Sequence, residues 1–288
     1  MSAPRLPAKL FTTVYSLARR SGVLETQPGQ RLFSRAYFFY KRHLEDPFYL
    51  LAKRHPDLFL GGHVLDIGAN IGYTASVFAR AVEPAFRVYS FEPEEFNFGM
   101  LERAARSIQP AGRIIPVRAA AGDRDEEAEL WRNEFHHADH RIVTPRLREA
   151  VVLPPLARVP MMKIDTFVGA QRENFPVSFI KVDVQGFELP VCAGMERTLQ
   201  VNPGVVVALE YTPSGMQDLG FNPADLLDWL AARRYFVYRL DRNGSFHEIR
   251  LRQFHVRSYA DLLISARNLA AAPSAGISAA PQDEAKAR

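Results

Sequence analysis

Asp66-Ile67-Gly68-Ala69-Asn70-Ile71-Gly72 closes a β-rich run at 63–67 and opens an amphipathic, helix-like run at 73–82. A glycine just past a strand lets the backbone turn tightly and leaves room for a ligand against the main chain. The second glycine lets the following helix sit close to the sheet, and free N–H groups at its start favour a carboxylate or a phosphate. The spacing is GxxxG, whereas a nicotinamide dehydrogenase on a related fold needs GxGxxG. Asp66, ahead of the first glycine, would repel a pyrophosphate but can organise the loop or hold an ammonium through water. The pattern therefore favours an amino-acid nucleoside over a dinucleotide. A plain strand-to-helix turn is the alternative.

Outward from this loop, short β-rich runs alternate with amphipathic segments, as a parallel sheet with crossover helices requires. Strands are expected at 63–67, 87–92, 113–120, 178–184, 205–210, 235–240 and 261–266. Helices are expected at 73–82, 94–108, 188–199 and 223–233. The fold class is α/β, a Rossmann-like, mostly parallel sheet of seven strands with helices on both faces and an N-terminal helical extension. The irregular, charged stretch 123–160 reads as a β-hairpin or lid, and 161–169 as a run into a short helix.

Three motifs fall at strand ends. In Phe91-Glu92-Pro93 the carboxylate can accept both ribose hydroxyls of an adenosine, and the proline ends the strand. In Ala120-Ala121-Gly122-Asp123 the small residues leave a slot for a flat ring and Asp123 can accept from an exocyclic amine, or the segment is simply a turn. Ile180-Lys181-Val182-Asp183-Val184-Gln185-Gly186-Phe187-Glu188 adjoins the first strand across the switch point, where open α/β sheets place their ligands. Asp183 and Glu188 therefore fall near the reacting end. A core strand rarely carries Lys181 and Asp183 unless they are paired or working. Glu210, ending the run 205–210, can join Asp183 around a divalent ion or act as a supporting acid or base.

The segments 66–80, 88–106, 120–123, 161–168, 180–199 and 205–212 resemble, in this order, the FkbM family of methyltransferases. The likeness covers about residues 60–240 and is most specific at IKVDVQGFE, 180–188. Gln185 stands where the family form carries Glu. The resemblance implies a class I methyltransferase fold, S-adenosylmethionine as methyl donor, and commonly O-methylation of sugars, glycolipids or polyketide-type natural products. By position it puts Gly68, Asn70, Tyr73 and Thr74 along the methionine side, in the loop bounded by Asp66 and Gly72. It puts Glu92, with Pro93, at the ribose and Ala121 and Asp123 at the adenine. The methyl acceptor is then a small-molecule hydroxyl. Its base comes from Asp183, Glu188, Glu210 or His140, with Asp183 the first choice and His140 its rival. The competing reading is a methyltransferase fold that has lost its chemistry and serves as a binding or partner subunit, hinted at by Gln185.

Composition bounds the rest. The chain has 288 residues and a net charge of +4, but residues 1–60 carry ten Lys/Arg against four Asp/Glu. This leader is aromatic-rich (Phe33, Tyr37, Phe38, Phe39, Tyr40, Phe48, Tyr49 and Phe59) and reads as two or three helices, one at 46–55 with Asp46-Pro47 as its start. It either caps the acceptor pocket, its arginines suiting a phosphate- or carboxylate-bearing acceptor, or serves homodimerisation. A basic segment can also meet an acidic partner or a membrane surface. The methyltransferase domain spans 61–269, and the small, polar tail 270–288 is expected to be disordered. The basic residues form no nucleic-acid motif. No apolar run of ~18 residues, no secretory signal and a single cysteine, Cys192, read as cytoplasmic. His136-His137-Ala138-Asp139-His140-Arg141 reads as a solvated loop, a base or substrate contact, or a metal cluster. A divalent metal is allowed for but not favoured.

Overall fold

The computed structural model describes residues 21–133, 139–150, 156–171 and 174–270. The expected disordered tail, the first 20 residues, and His136 and His137 lie outside the described residues, apart from Ala270.

The main sheet has eight strands in the order β11-β10-β12-β9-β8-β1-β2-β3. These are β1 (His63–Ile67), β2 (Val88–Phe91), β3 (Ile114–Val117), β8 (Val177–Val182), β9 (Val206–Tyr211), β10 (Phe236–Leu240), β11 (Phe246–Glu248) and β12 (Ala260–Ser265). β3, β2, β1, β8 and β9 are mutually parallel, while β12, β10 and β11 add antiparallel pairs beyond β9. The sheet is mostly parallel, as expected, with a strand count of eight instead of seven. The extra strand is β11, a hairpin partner of β10 whose turn is closed by Asp241 N–H to Ser245 C=O, with Gly244 at φ 76°.

A second, four-stranded sheet has the order β4-β7-β5-β6, with β4 (Ala120–Ala121), β5 (Glu126–Trp131), β6 (Arg141–Ile142) and β7 (Leu156–Met162). The expected strand 113–120 is therefore divided between two sheets. The Ala119 N–H bonds back to Val117 C=O at 3.0 Å, and this local turn carries Ala120 across to pair with Met161. The hairpin expected within 123–160 is present as β5 pairing antiparallel with β6 and β7.

The helices of the domain are α3 (Tyr73–Ala81), α4 (Glu95–Ser107), α5 (Pro145–Ala150), α6 (Ile164–Gly169), α7 (Glu188–Ala193), α8 (Glu196–Val201), α9 (Pro213–Asp218) and α10 (Pro223–Ala232). The helix expected over 188–199 is two short ones. Gly194 separates them because its backbone lies against Gly122 O, so close that a Cβ there would come within 1.9 Å. Side chains on α4 and α10 satisfy first-turn N–H groups: Glu94 accepts from Asn97 N at 2.8 Å and Asn222 from Ala224 N at 3.2 Å.

The leader forms α1 (Gln27–Tyr40), a π-helical turn Lys41–Glu45, and α2 (Phe48–Arg54). α2 is shorter than expected, though Asp46 still caps it by accepting from Phe48 N at 2.8 Å. Strand alternation assigns Val64, Asp66, Phe179 and Lys181 to one face of the sheet. On that face Leu24, Phe33, Tyr37, Phe48, Leu51 and Phe59 are buried in one apolar layer with Val64, Phe78 and Phe179. Phe59 stacks on Phe78 at 5.6 Å and meets Phe179 at 4.6 Å. The leader thus shares the sheet's core. Phe59→Ala is expected to cost about 3–5 kcal/mol and to lower Tm by on the order of 10 °C. An unshifted melting curve would contradict this packing. Among the described residues, no helix is long and apolar enough to cross a membrane.

Candidate active site

The order of the parallel strands reverses between β1 and β8, and a cleft of ≈ 270 Å³ opens there at their carboxyl ends. The loop after β1 shapes it. Gly68 adopts φ 77°, and a Cβ there would lie 1.9 Å from the main-chain oxygen of Asp183, so the loops after β1 and β8 touch backbone to backbone. Gly72, at φ 88°, faces Leu101 and Ala104 of α4, so its lack of a side chain brings α3 against a neighbouring helix instead of the sheet.

The N–H groups of the loop itself are taken, while the first turn of α3, where free ones are expected, has no side-chain cap. Gly68 and Ala69 donate to Phe91 O at 3.1 and 2.9 Å, Asn70 donates to Glu92 Oε2 at 2.9 Å, Ile71 to Asn70 Oδ1 and Gly72 to Ala69 O. Each donor is satisfied within the loop or by β2. A carboxylate or phosphate gains nothing from these loop groups.

Glu92 is held from both sides. Oε2 accepts from Asn70 N and Oε1 from Glu94 N, each at 2.9 Å, and the side chain is buried at the cleft wall. Each oxygen keeps a second lone pair. Beyond Pro93 the wall is apolar, formed by Ala119, Ala120, Ala121, Leu130, Ile142 and Phe187. Asp123 is not part of it; it lies on a neighbouring surface groove beside Arg124 at 3.4 Å.

On β8, Lys181 is buried between two acids. Its Nζ lies 3.6 Å from Asp66 Oδ1 and 3.2 Å from Asp183 Oδ2, and donates to Gly68 O at 3.0 Å. Asp66 in turn accepts from Thr74 Oγ1 at 2.8 Å. Asp66 therefore sits beneath the cleft and ties β1, α3 and β8 together, while Gly68, Asn70, Tyr73, Thr74 and Asp183 line it. Glu188 is also beneath: its Oε1 accepts from Val184 N and Gly186 N at 3.3 and 3.0 Å, clasping the loop after β8 from below. His140 and Glu210 do reach the cleft.

The model of the FkbM methyltransferase domain matches residues 66–240. The chain belongs to the FkbM methyltransferase family. The match runs from Asp66 to the end of β10 and leaves out the leader and β12. Comparison with curated proteins gave no match. Among solved structures, the chain is similar to the O-methyltransferase TomG from Streptomyces achromogenes in complex with SAM, at 14% identity, TM-score 0.43, covering 75% of this chain and 77% of that one. It is also similar to the O-methyltransferase from Bacillus cereus in complex with SAH, at 13% identity, TM-score 0.44, covering 75% and 78%.

In this FkbM-family chain Gln185 adopts φ 56°, and its Nε2 donates to Asp183 Oδ1 at 2.9 Å and to Glu210 Oε2 at 3.2 Å. Glu210 Oε1 accepts from Tyr259 Oη at 2.8 Å. Burial and the Asp183 charge hold Glu210 well above the usual carboxylate range, so it keeps its proton. Burial alone would raise Asp183, but Lys181 beside it and a hydrogen bond from Glu210 leave it below its ordinary value, hence ionised. His140 Nδ1 accepts from Asn133 N at 3.1 Å. That ring nitrogen is therefore already taken and does not serve as a proton acceptor. Among the described residues, no group of three His, Cys, Asp or Glu side chains could hold a metal ion.

The leader adds Tyr37, Lys41, Glu45 and Asp46 to the cleft, with Lys41 Nζ 2.5 Å from Glu45 Oε1. The leader's arginines are the cations expected at the cleft; among the described leader residues it is Lys41 that lines it, and Arg42 lies over the Tyr49 ring at 3.9 Å. No motif marks these residues, since only the fold-back of α1 brings them there.

Burial pushes Glu92 up to about 8, Glu188 and Asp46 to about 7, and Asp261 to about 6. Each acid binds its proton more tightly folded than unfolded. The stability this brings is complete below the unfolded values and is lost as pH rises towards the folded ones. Denaturant midpoints are expected to fall from about pH 5 to about pH 8. A midpoint rising over that span would contradict the burial of these carboxyls.

Proposed function

We propose that this FkbM-family chain transfers the methyl group of S-adenosylmethionine to a hydroxyl of a small molecule. The observation that carries this is Glu92, a carboxylate pinned by two backbone N–H groups at the cleft wall with a lone pair to spare on each oxygen. That is an acceptor pair suited to a vicinal diol such as a ribose. The apolar wall from Ala119 to Ala121 suits a flat base. The Tyr73 hydroxyl, buried without a hydrogen-bond partner at the same cleft, remains for a polar group of a bound molecule. The residues fit the cofactor.

When bound, S-adenosylmethionine supplies a methyl group already activated on a sulfonium. The chain's own residues then have to align the acceptor and take its proton. Alignment of two bound reactants can contribute on the order of 7–11 kcal/mol. Asp183, ionised and fixed by Lys181, accepts the hydroxyl's hydrogen and so points its oxygen. The leader covers one side of the cleft with Tyr37 and Lys41. One observation favours a second reading: Gln185 already occupies an oxygen of Asp183 and of Glu210, as in a chain that binds the cofactor without transferring from it.

Incubation with methyl-labelled S-adenosylmethionine and a set of sugars, glycolipids and phenolic natural products separates the two. Label in an ether of one acceptor supports transfer. Cofactor binding with no label in any hydroxylated acceptor supports the binding subunit instead.

A further inference from the structure

Between Thr26 and Leu44 the chain carries Arg31, Arg35, Lys41 and Arg42 and no acidic residue. α1 and its π-turn bury Phe33 and Tyr37 yet leave Leu32, Phe39 and Leu44 exposed by 69%, 65% and 55%. Beside Phe39 runs a groove of ≈ 450 Å³ lined by Arg42, His43, Tyr49, Lys53 and Arg80. Arg42 and Lys53 both lie over the Tyr49 ring, at 3.9 and 5.8 Å, and Arg80 is fixed by donating to Ser76 O at 2.5 Å. Among the described residues, none of Arg31, Arg35, Arg42, Lys53 and Arg80 makes an ion pair. Leu32 and Phe39, seven residues apart, thus share one helix face with Arg31, Arg35 and Arg42.

We propose that this face seats the protein on an anionic lipid bilayer. Lys and Arg near such a surface are each attracted by the leaflet's negative potential, and exposed Leu and Phe gain by entering the boundary between headgroups and acyl chains. A free phosphate would satisfy the cations and leave Leu32, Phe39 and Leu44 in water. A second copy of the chain, docked face to face, would bring like charges together. The groove shares Tyr73 with the cleft, and α1 and its π-turn supply Tyr37 and Lys41 to the cleft, so the docked protein holds the cleft's leader side at the bilayer. A lipid-linked acceptor would be concentrated there. The docking itself stands apart from the methyl-transfer reading.

Sedimentation of the full chain with vesicles tests it. The protein is expected to pellet with phosphatidylcholine vesicles containing phosphatidylglycerol, to stay in solution with phosphatidylcholine alone, and to be released by salt. Arg42→Ala, Lys53→Ala and Arg80→Ala are each expected to lower the partition coefficient by about fivefold, with unchanged circular dichroism. Phe39→Ser is expected to weaken binding at constant charge. Failure of the wild type to bind anionic vesicles would overturn the proposal, as would equal binding to both vesicle types. Displacement by soluble glycerol phosphate at matched headgroup concentration would instead show a free-anion site. A wild-type dimer dispersed by Arg42→Glu would show a self-interface. Either result overturns it too.

Discussion

Glu92→Gln is expected to weaken binding of both S-adenosylmethionine and S-adenosylhomocysteine by a factor on the order of 10² or more. Both carboxylate oxygens already accept a backbone N–H, from Asn70 and Glu94. An amide cannot replace them, because its NH₂ must face one of those donors and only one oxygen is left to accept. Burial raises Glu92, but two diol hydroxyls donating to it favour its ionised form. In the variant the diol would lose one charge-assisted hydrogen bond outright and find the other weakened, and bonds to charged groups contribute about 1.5–3 kcal/mol each. Both ligands carry the same ribose, so the loss should be equal for the two. Titration calorimetry on the folded variant reads it. Unchanged affinity for both would remove Glu92 from the cofactor's site.

The second large effect is expected at Asp183. Asp183→Asn should reduce turnover by roughly 10²–10⁴-fold, the usual worth of a positioned acid–base group, and leave cofactor affinity nearly unchanged. The substitution keeps the shape of the side chain, and Lys181 retains Asp66 as a partner. What goes is the charge that accepts the hydroxyl's hydrogen. Because Lys181 and Glu210 keep Asp183 ionised, wild-type turnover should fall only as pH drops into the acidic range and protonates it. A KM for the cofactor that rises while kcat holds would assign Asp183 to binding. Full turnover by the variant would remove it from the chemistry.

What the sequence made legible was the part written in local pattern. The five parallel strands, the turn at Gly68 and the place of Glu92 follow from alternation, from glycine and from a strand-ending proline, each a property of a few neighbouring residues. The division of 113–120 between two sheets was not legible, because Ala120 is as acceptable in one strand as in the other and only the pairing with Met161 decides it. The break at Gly194 depends on Gly122, far away in the chain. Asp123 and Glu188 have the composition of site residues. Asp123 lines a neighbouring groove instead, and Glu188 is drawn under the loop by two N–H groups. The charged leader residues Lys41, Glu45 and Asp46 enter the cleft through the docking of α1, a tertiary event without a sequence signature.

On the proposed reading, the adenosyl group of the cofactor occupies the wall between Glu92 and Ala121 with its sulfur turned towards Asp183. A crystal structure of the protein soaked with S-adenosylhomocysteine tests it most directly. The account predicts ligand density in the cleft with both ribose hydroxyls on the Glu92 carboxylate. Density for the nucleoside elsewhere, or hydroxyls bound to a different side chain, would contradict it.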